Sequence, residues 1–170
     1  LVLSCAVANP LPDDPDRPLH HTDEGFRNLY IETADKTFFS YMKMRYFSDV
    51  EWADHEEEGD QVPFKTLDLN LVNNPPQDLQ VSWLGHSTFL IQLDGINLLT
   101  DPVFSDRTSP ISFAGPKRYV PHVVDYDKLP KIDYVIISHN HYDHLDIETI
   151  RLLGDDPIYF VPLKLAQWFK

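Results

Sequence analysis

The 170-residue chain is short of cysteine and of positive charge, and each shortage excludes classes of protein. Cys5 is the only cysteine, which excludes an intramolecular disulfide framework and a Cys-rich zinc finger. Lys and Arg number 14 against 27 acidic residues, a net charge of −13, so we predict no nucleic-acid partner. No apolar run approaches the length of about 18 residues that a membrane span needs. Hydrophobic residues make up 42% of the chain, which is enough for a globular core.

We predict three segments along the chain. Residues 1–24 form an N-terminal lead that is rich in proline, which prevents regular helix. Residues 25–78 form a helical and acidic lead-in. Residues 79–170 form a β-rich region that carries the chemistry.

The first residues of the lead are apolar, and the stretch Val2-Leu3-Ser4-Cys5 resembles the end of a bacterial lipoprotein signal. One interpretation is that Cys5 is lipidated and that the protein belongs to the bacterial cell envelope, in the periplasm or on the outer membrane. The other is an apolar N-terminus with an incidental cysteine, in a cytoplasmic or peripheral membrane protein. The residues favour neither interpretation.

Aromatic and apolar residues recur at spacings of three and four from about Asp35 to Phe47, which predicts an amphipathic helix. Its apolar face either packs on the main domain or, with Lys43 and Arg45 beside the aromatic residues, contacts a membrane surface through residues 37–47. The acidic residues that follow predict a solvated loop, and residues 61–80 predict a linker.

The β-rich region combines a hairpin with units of strand, loop and helix, which predicts an α/β fold of packed layers. Asp94-Gly95 is a strong hairpin signal. The Pro-rich stretch 101–130 predicts a long loop of the kind that is usually functional. The predicted strands are Leu79–Leu84, Thr88–Leu93, Ile96–Thr100, Asp133–Ser138 and Ile158–Val161, and the predicted helices run from Asp146 to Leu153 and from Leu163 to Phe169.

Three histidines and an aspartate lie within six residues directly after the predicted strand Asp133–Ser138. His139 and His141 are two apart, so in extended backbone they project from the same face and can share a metal ion. Asp143 and His144 follow where the chain turns, and they can reach a second ion. Imidazole and carboxylate are the ligands that zinc and related divalent metals take. We therefore predict a metal site here rather than a surface histidine cluster.

The segment 139–144 has the His-x-His-x-Asp-His pattern, and it resembles the signature of the metallo-β-lactamase superfamily. Further segments resemble the family of N-acylphosphatidylethanolamine-hydrolysing phospholipases D and its bacterial relatives. They are Trp83-Leu84-Gly85-His86-Ser87-Thr88, Leu99-Thr100-Asp101-Pro102, Gly115-Pro116-Lys117-Arg118 and the stretch from Ile137 to Asp146. The resemblance implies an α/β fold of the metallo-β-lactamase αββα sandwich type, of which residues 79–170 represent the first half.

The same resemblance implies a function and a set of site residues. His139 and His141 would bind one zinc ion, and Asp143 and His144 a second. Asp143 and His144 would also be catalytic. Water activated by the two Zn²⁺ ions would hydrolyse an N-acylphosphatidylethanolamine-type phospholipid to phosphatidic acid and an N-acylethanolamine. The alternatives are another hydrolase of the same fold or an inactive half-domain.

Supporting roles follow for four further residues. Asp101 would hydrogen-bond a ligand imidazole and fix its tautomer, or else it is a turn residue before Pro102. His86 would lie behind the ligands or have a structural role. Lys117 and Arg118 would contact a lipid phosphate, or else form a solvated pair.

The resemblance also implies ligands that the sequence after His144 does not supply. The superfamily takes a further Asp and two further His from downstream, and no His follows His144 in this chain. We therefore expect a fragment whose C-terminal half is supplied by the same or another chain, or else a homodimer. An intact mass of 19.7 kDa for a full gene product would contradict the fragment interpretation.

Overall fold

The structure is a computed structural model that describes residues 15–22, 25–31, 37–50, 59–76, 78–109 and 113–169. The chain divides into two compact units, Leu1–Trp52 and Ala53–Lys170, which are taken separately. Within the described ranges no helix is long and apolar enough to cross a bilayer. Cys5 lies outside these ranges, and its lipidation stays a prediction, as does the division of the chain at residues 24 and 78.

The first unit contains helix α1, Phe38–Phe47. It begins where Thr37, in extended conformation, accepts a hydrogen bond from the amide of Ser40 at 3.2 Å. None of its residues is buried, and Phe39 and Phe47 are 83% and 82% exposed. Its predicted contact with a membrane surface stays a prediction.

The second unit is built on one five-stranded sheet in the order β1-β2-β3-β4-β5. The first three strands form an antiparallel meander, and β4 and β5 continue the sheet parallel to β3. The strands are β1 Leu79–Gly85, β2 Thr88–Leu93, β3 Ile96–Thr100, β4 Tyr134–Ile136 and β5 Ile158–Phe160. Helix α2 is Leu69–Asn73, and helix α3 is Ile147–Leu153. The predicted α/β fold class is confirmed.

Local chemistry explains where these elements begin and end. Asp94 and Gly95 have φ values of 48° and 79°, the left-handed pair that a two-residue hairpin requires. Asp146 caps α3 by accepting from the amide of Glu148, and Gly154 ends the helix at a φ of 63°.

Two segments differ from the sequence-based expectation. The predicted linker 61–80 contains α2, because Val72 is 1% exposed in the core and its carbonyl accepts from Gln92 Nε2 at 2.8 Å. The predicted last helix is a 3₁₀ helix, Leu165–Phe169, which opens with an i to i+3 bond from the amide of Leu165 to the carbonyl of Pro162 at 3.0 Å.

The core lies on one face of the sheet. Leu90, Leu99 and Val135 from three adjacent strands are each 0% exposed, and α3 packs on them with Ile150 and Leu153. The opposite face is also apolar, but its side chains are 37% to 61% exposed. They are Leu79, Val81, Trp83, Phe89, Leu93, Ile96, Ile136, Ile158 and Phe160.

Candidate metal centre

Three loops meet at one edge of the sheet. Because β1 and β3 are both antiparallel to β2, and β4 is parallel to β3, the carboxyl ends of β1, β3 and β4 share that edge. His86 lies in the turn after β1, Asp101 directly follows β3, and the segment 138–146 follows β4. The carboxyl edge of an α/β sheet is where ligand sites are commonly built.

Two imidazoles and a carboxylate converge at this edge. His86, Asp143 and His144 each offer a ligand atom, and these atoms all lie within 4.8 Å of one another. Oδ2 of Asp143 lies 3.2 Å from Nε2 of His86 and 3.7 Å from Nε2 of His144. This donor set fits zinc or a related divalent metal. His86, which sequence reasoning placed behind the ligands, could therefore share one metal ion with Asp143 and His144.

Asp101 orients one of these imidazoles. Its Oδ2 accepts a hydrogen bond from Nδ1 of His144 at 2.9 Å. With the proton held on Nδ1 in the neutral ring, Nε2 carries the lone pair towards Asp143. A carboxylate has this effect behind an imidazole that binds a metal. The contact with His144 is present, and the role of Asp101 behind a metal ligand stays a prediction.

Asp101 is itself held from several directions, and it is 7% exposed. Its two carboxylate oxygens accept from the amide and from the hydroxyl of Ser138, both at 2.6 Å. Its amide donates to the carbonyl of Ile136 at 2.8 Å, and its carbonyl accepts from Thr88 Oγ1 at 2.8 Å. These bonds hold Asp101 at a φ of 36°, a left-handed conformation that aspartate tolerates better than most residues. Sequence reasoning missed Ser138, whose only signal was its place at the strand end before the motif.

His139 and His141 lie beside the cluster. The ring of His139 is 4.0 Å from that of His144 and 4.5 Å from that of His141, centre to centre. Its Nδ1 is 2.9 Å from Ser138 Oγ. Burial lowers the pKa of His139, and the neighbouring His144 and His141 lower it further, which favours the neutral, ligating form. The structure brings both residues next to His144, and their role as ligands stays a prediction.

The two adjacent basic residues, Lys117 and Arg118, differ in exposure. Lys117 is exposed. The guanidinium of Arg118 is partly buried, and its Nη2 donates to the carbonyl of Val103 at 2.8 Å. A Cβ at Gly85 would lie 3.3 Å from Arg118 Nη1, so the guanidinium adjoins the turn that carries His86. Arg118 Nε is the one buried side-chain polar atom without a hydrogen-bond partner in the described part of the chain.

Comparison with known families assigns this region. Residues 80–161, about half of the chain, match the family described as "Beta-lactamase superfamily domain". This part of the chain therefore belongs to the β-lactamase superfamily, as the motifs predicted. The matched range contains the whole cluster from His86 to His144.

Three similar proteins carry more specific names. N-acyl-phosphatidylethanolamine-hydrolyzing phospholipase D 1 of Caenorhabditis elegans is 46% identical over 95 residues, which are 54% of this chain and 27% of that protein. A UPF0173 metal-dependent hydrolase of Hyperthermus butylicus is 38% identical over 73 residues, which are 43% of this chain and 26% of that protein. The matched stretch thus spans about a quarter of either relative. The solved structure of a putative metal-dependent hydrolase from Parabacteroides distasonis has a TM-score of 0.40 at 23% identity, covering 54% of this chain and 35% of that one.

Proposed function

We propose that the chain contributes the metal centre of a zinc-dependent phosphodiesterase that hydrolyses N-acylphosphatidylethanolamine-type phospholipids. The observation that carries the proposal is the cluster of His86, Asp143 and His144, with Asp101 bonded behind His144. The names of the relatives support the hydrolase class, and the phospholipase relative supports the choice of substrate.

Each residue of the site would have a separate task. His139, His141, Asp143 and His144 would hold two zinc ions. His86 is close enough to Asp143 to complete the coordination of one of them. Bound zinc supplies Lewis acidity for a phosphoryl oxygen and lowers the pKa of water towards neutrality.

The other residues would prepare the ligands and the substrate. Asp101 holds the proton of His144 on Nδ1, so the lone pair of Nε2 is available for coordination. Ser138 keeps the carboxylate of Asp101 in place through two hydrogen bonds. Lys117 and Arg118 would bind the substrate phosphate, Arg118 from its position beside the turn of His86.

Zinc binding and turnover test the proposal together. Zinc stoichiometry is measured by equilibrium dialysis, and the release of phosphatidic acid from N-acylphosphatidylethanolamine by mass spectrometry. We expect His139→Ala and His141→Ala to reduce both quantities. His20→Ala is the matched control, because His20 lies in the first unit and contacts His21 and Phe26.

The outcomes separate the interpretations. Turnover that survives both substitutions contradicts the proposed phosphodiesterase. Turnover that disappears when zinc is removed excludes an inactive half-domain. Zinc binding without turnover of this lipid supports the metal centre and assigns the chain to another hydrolase or to an inactive half.

A further inference from the structure

Asp146 follows the predicted ligand segment and begins helix α3, but most of its side-chain hydrogen bonds leave the helix. Asp146 is 7% exposed. As an N-cap it accepts from the amide of Glu148 at 3.2 Å. Its carboxylate also accepts hydrogen bonds from residues of the loop after β3 and from the hydroxyl of Thr149.

The contacts with that loop are numerous for one side chain. Oδ2 of Asp146 accepts from the amide of Phe104 at 3.2 Å and from the amide of Ser105 at 2.9 Å. Oδ1 accepts from the hydroxyl of Ser105 at 2.8 Å. Oγ1 of Thr149 accepts a further hydrogen bond from the amide of Phe104 at 2.8 Å. Phe104 and Ser105 are both partly buried. Without the carboxylate, the amide and the hydroxyl of Ser105 would lose this partner, and the amide of Phe104 would keep only its bond to Thr149, so the loop would be less firmly held.

The loop that Asp146 holds is the one that begins with Asp101. Two short segments, 101–105 and 144–146, are therefore joined at both ends. The bond from His144 to Asp101 joins them at the metal centre, and Asp146 with Ser105 joins them at the other end.

We propose that Asp146 is a positioning residue of the metal centre, which sets the distance between Asp101 and His144 by locking the two segments together. The inference rests on the proposed metal-binding function. It assigns to Asp146 a role beyond helix capping, and it makes the geometry of His144 depend on a side chain that bonds to the loop after β3 rather than to the candidate ligands.

The chain offers a matched control for the capping role. Asp68 caps α2 by accepting from the amides of Asn70 at 3.0 Å and Leu71 at 3.4 Å. Serine is a good N-cap, but its side chain is too short to make the contacts of the carboxylate with the loop. Asp146→Ser and Asp68→Ser therefore both preserve a cap, and only the first releases a loop of the metal centre.

Zinc affinity is measured by competition with a chromophoric chelator, and the environment of bound Co²⁺ by its visible spectrum. We expect Asp146→Ser to weaken zinc binding about 10-fold, the low end of the effect of removing an outer partner of a ligand, and to shift the Co²⁺ spectrum. Asp68→Ser should leave both readings within about twofold of the wild type. In an Asp101→Asn background, Asp146→Ser should add little, because the bond through which it acts is already altered.

A second readout needs no metal. Hydrogen exchange should become faster at the amides of Phe104 and Ser105 and also at Ser138, which is bonded to Asp101. The ring-nitrogen signals of His144 should show loss of the Nδ1–H form. If Asp146→Ser does not fold, Ser105→Ala removes one of the same bonds and should give the same changes at smaller size.

The results distinguish the failure of this inference from that of the proposed function. Faster exchange at Phe104 and Ser105 alone, with Ser138 and His144 unchanged, would overturn the inference, because Asp146 would then hold only its own loop. A wild-type chain that binds no zinc would overturn the proposed function. The role of Asp146 would still be decided by two measurements without metal, the hydrogen exchange of the Ser138 amide and the tautomer of His144.

Discussion

Replacing Asp101 with asparagine is the sharpest test of how the metal centre is prepared. Asp101→Asn keeps the size of the side chain and leaves one oxygen to accept from the amide of Ser138. The other oxygen, which accepts from Ser138 Oγ and His144 Nδ1, becomes an NH₂ group that can only donate. His144 must then accept at Nδ1 and carry its proton on Nε2, the nitrogen that faces Asp143.

The size of the effect follows from these contacts. A proton on Nε2 has to be displaced before that nitrogen can bind a metal, so we expect zinc affinity to fall about 10- to 100-fold, the range found for outer partners of metal ligands. That range corresponds to about 1.4–2.8 kcal/mol of binding free energy. The free energy of unfolding should fall by about 1–3 kcal/mol, because hydrogen bonds to a buried charge are lost.

Three measurements check this prediction. Chelator competition gives the zinc affinity, urea unfolding the stability, and ring-nitrogen NMR the tautomer of His144. Asp127→Asn is the matched control, because it removes the same charge from an exposed 3₁₀ turn. The reasoning is refuted if His144 keeps its proton on Nδ1 in Asp101→Asn, or if zinc binds the variant as tightly as the wild type.

Three further predictions concern stability and pH. Gly115→Ala should lower the free energy of unfolding in urea by about 1–3 kcal/mol, since Gly115 has a φ of +100° and a Cβ there would lie 2.6 Å from the Cβ of Ser109. Gly95→Ala should lower it less, because a Cβ at Gly95 meets no atom within 4 Å. Burial raises the pKa of Tyr159 to about 12, so its contribution to stability is present below pH 10 and lost as the pH rises from 10 through 12. Absorbance at 295 nm should show a phenol that titrates late and that Tyr159→Phe removes. Burial lowers the pKa of His122, and the guanidinium of Arg118 lowers it further, so the contribution of His122 to stability is present above about pH 6.5 and lost as the pH falls through the folded pKa. His122→Asn should flatten the fall in stability below about pH 6.5, and an unchanged slope would contradict this.

The parts of the fold that could be read from the sequence depend on contacts between near neighbours. Thr88–Leu93 was predicted as a strand of the β-rich region that leads into the Asp94-Gly95 hairpin, and β2 has the same bounds. Asp94-Gly95 predicted the hairpin because few residue pairs tolerate two left-handed conformations in succession. Asp146 and Gly154 predicted the two ends of α3 for equally local reasons. Sequence analysis missed α2 because residues 61–80 are polar and contain prolines, which predicted a linker. Val72 is held in α2 by a contact with β2, in which its carbonyl accepts from Gln92 Nε2.

The candidate metal centre, like the fold, could be predicted from the sequence only in part. The segment 139–144 revealed its chemistry because four residues of ligand type, three His and one Asp, lie within six positions, and spacing alone brings them near one another. The contacts that complete the centre join residues far apart in the chain: His86 meets Asp143 across 57 positions, and Asp101 meets His144 across 43. Those pairs exist only because β1, β3 and β4 end at one edge of the sheet. The pairing of β3 with β4 joins strands that are far apart in the chain, and it depends on the burial of whole faces rather than on a short pattern. The sequence alone therefore determines which ligand types the candidate centre contains, whereas the sheet determines which imidazole donates its Nδ1 hydrogen bond to which carboxylate.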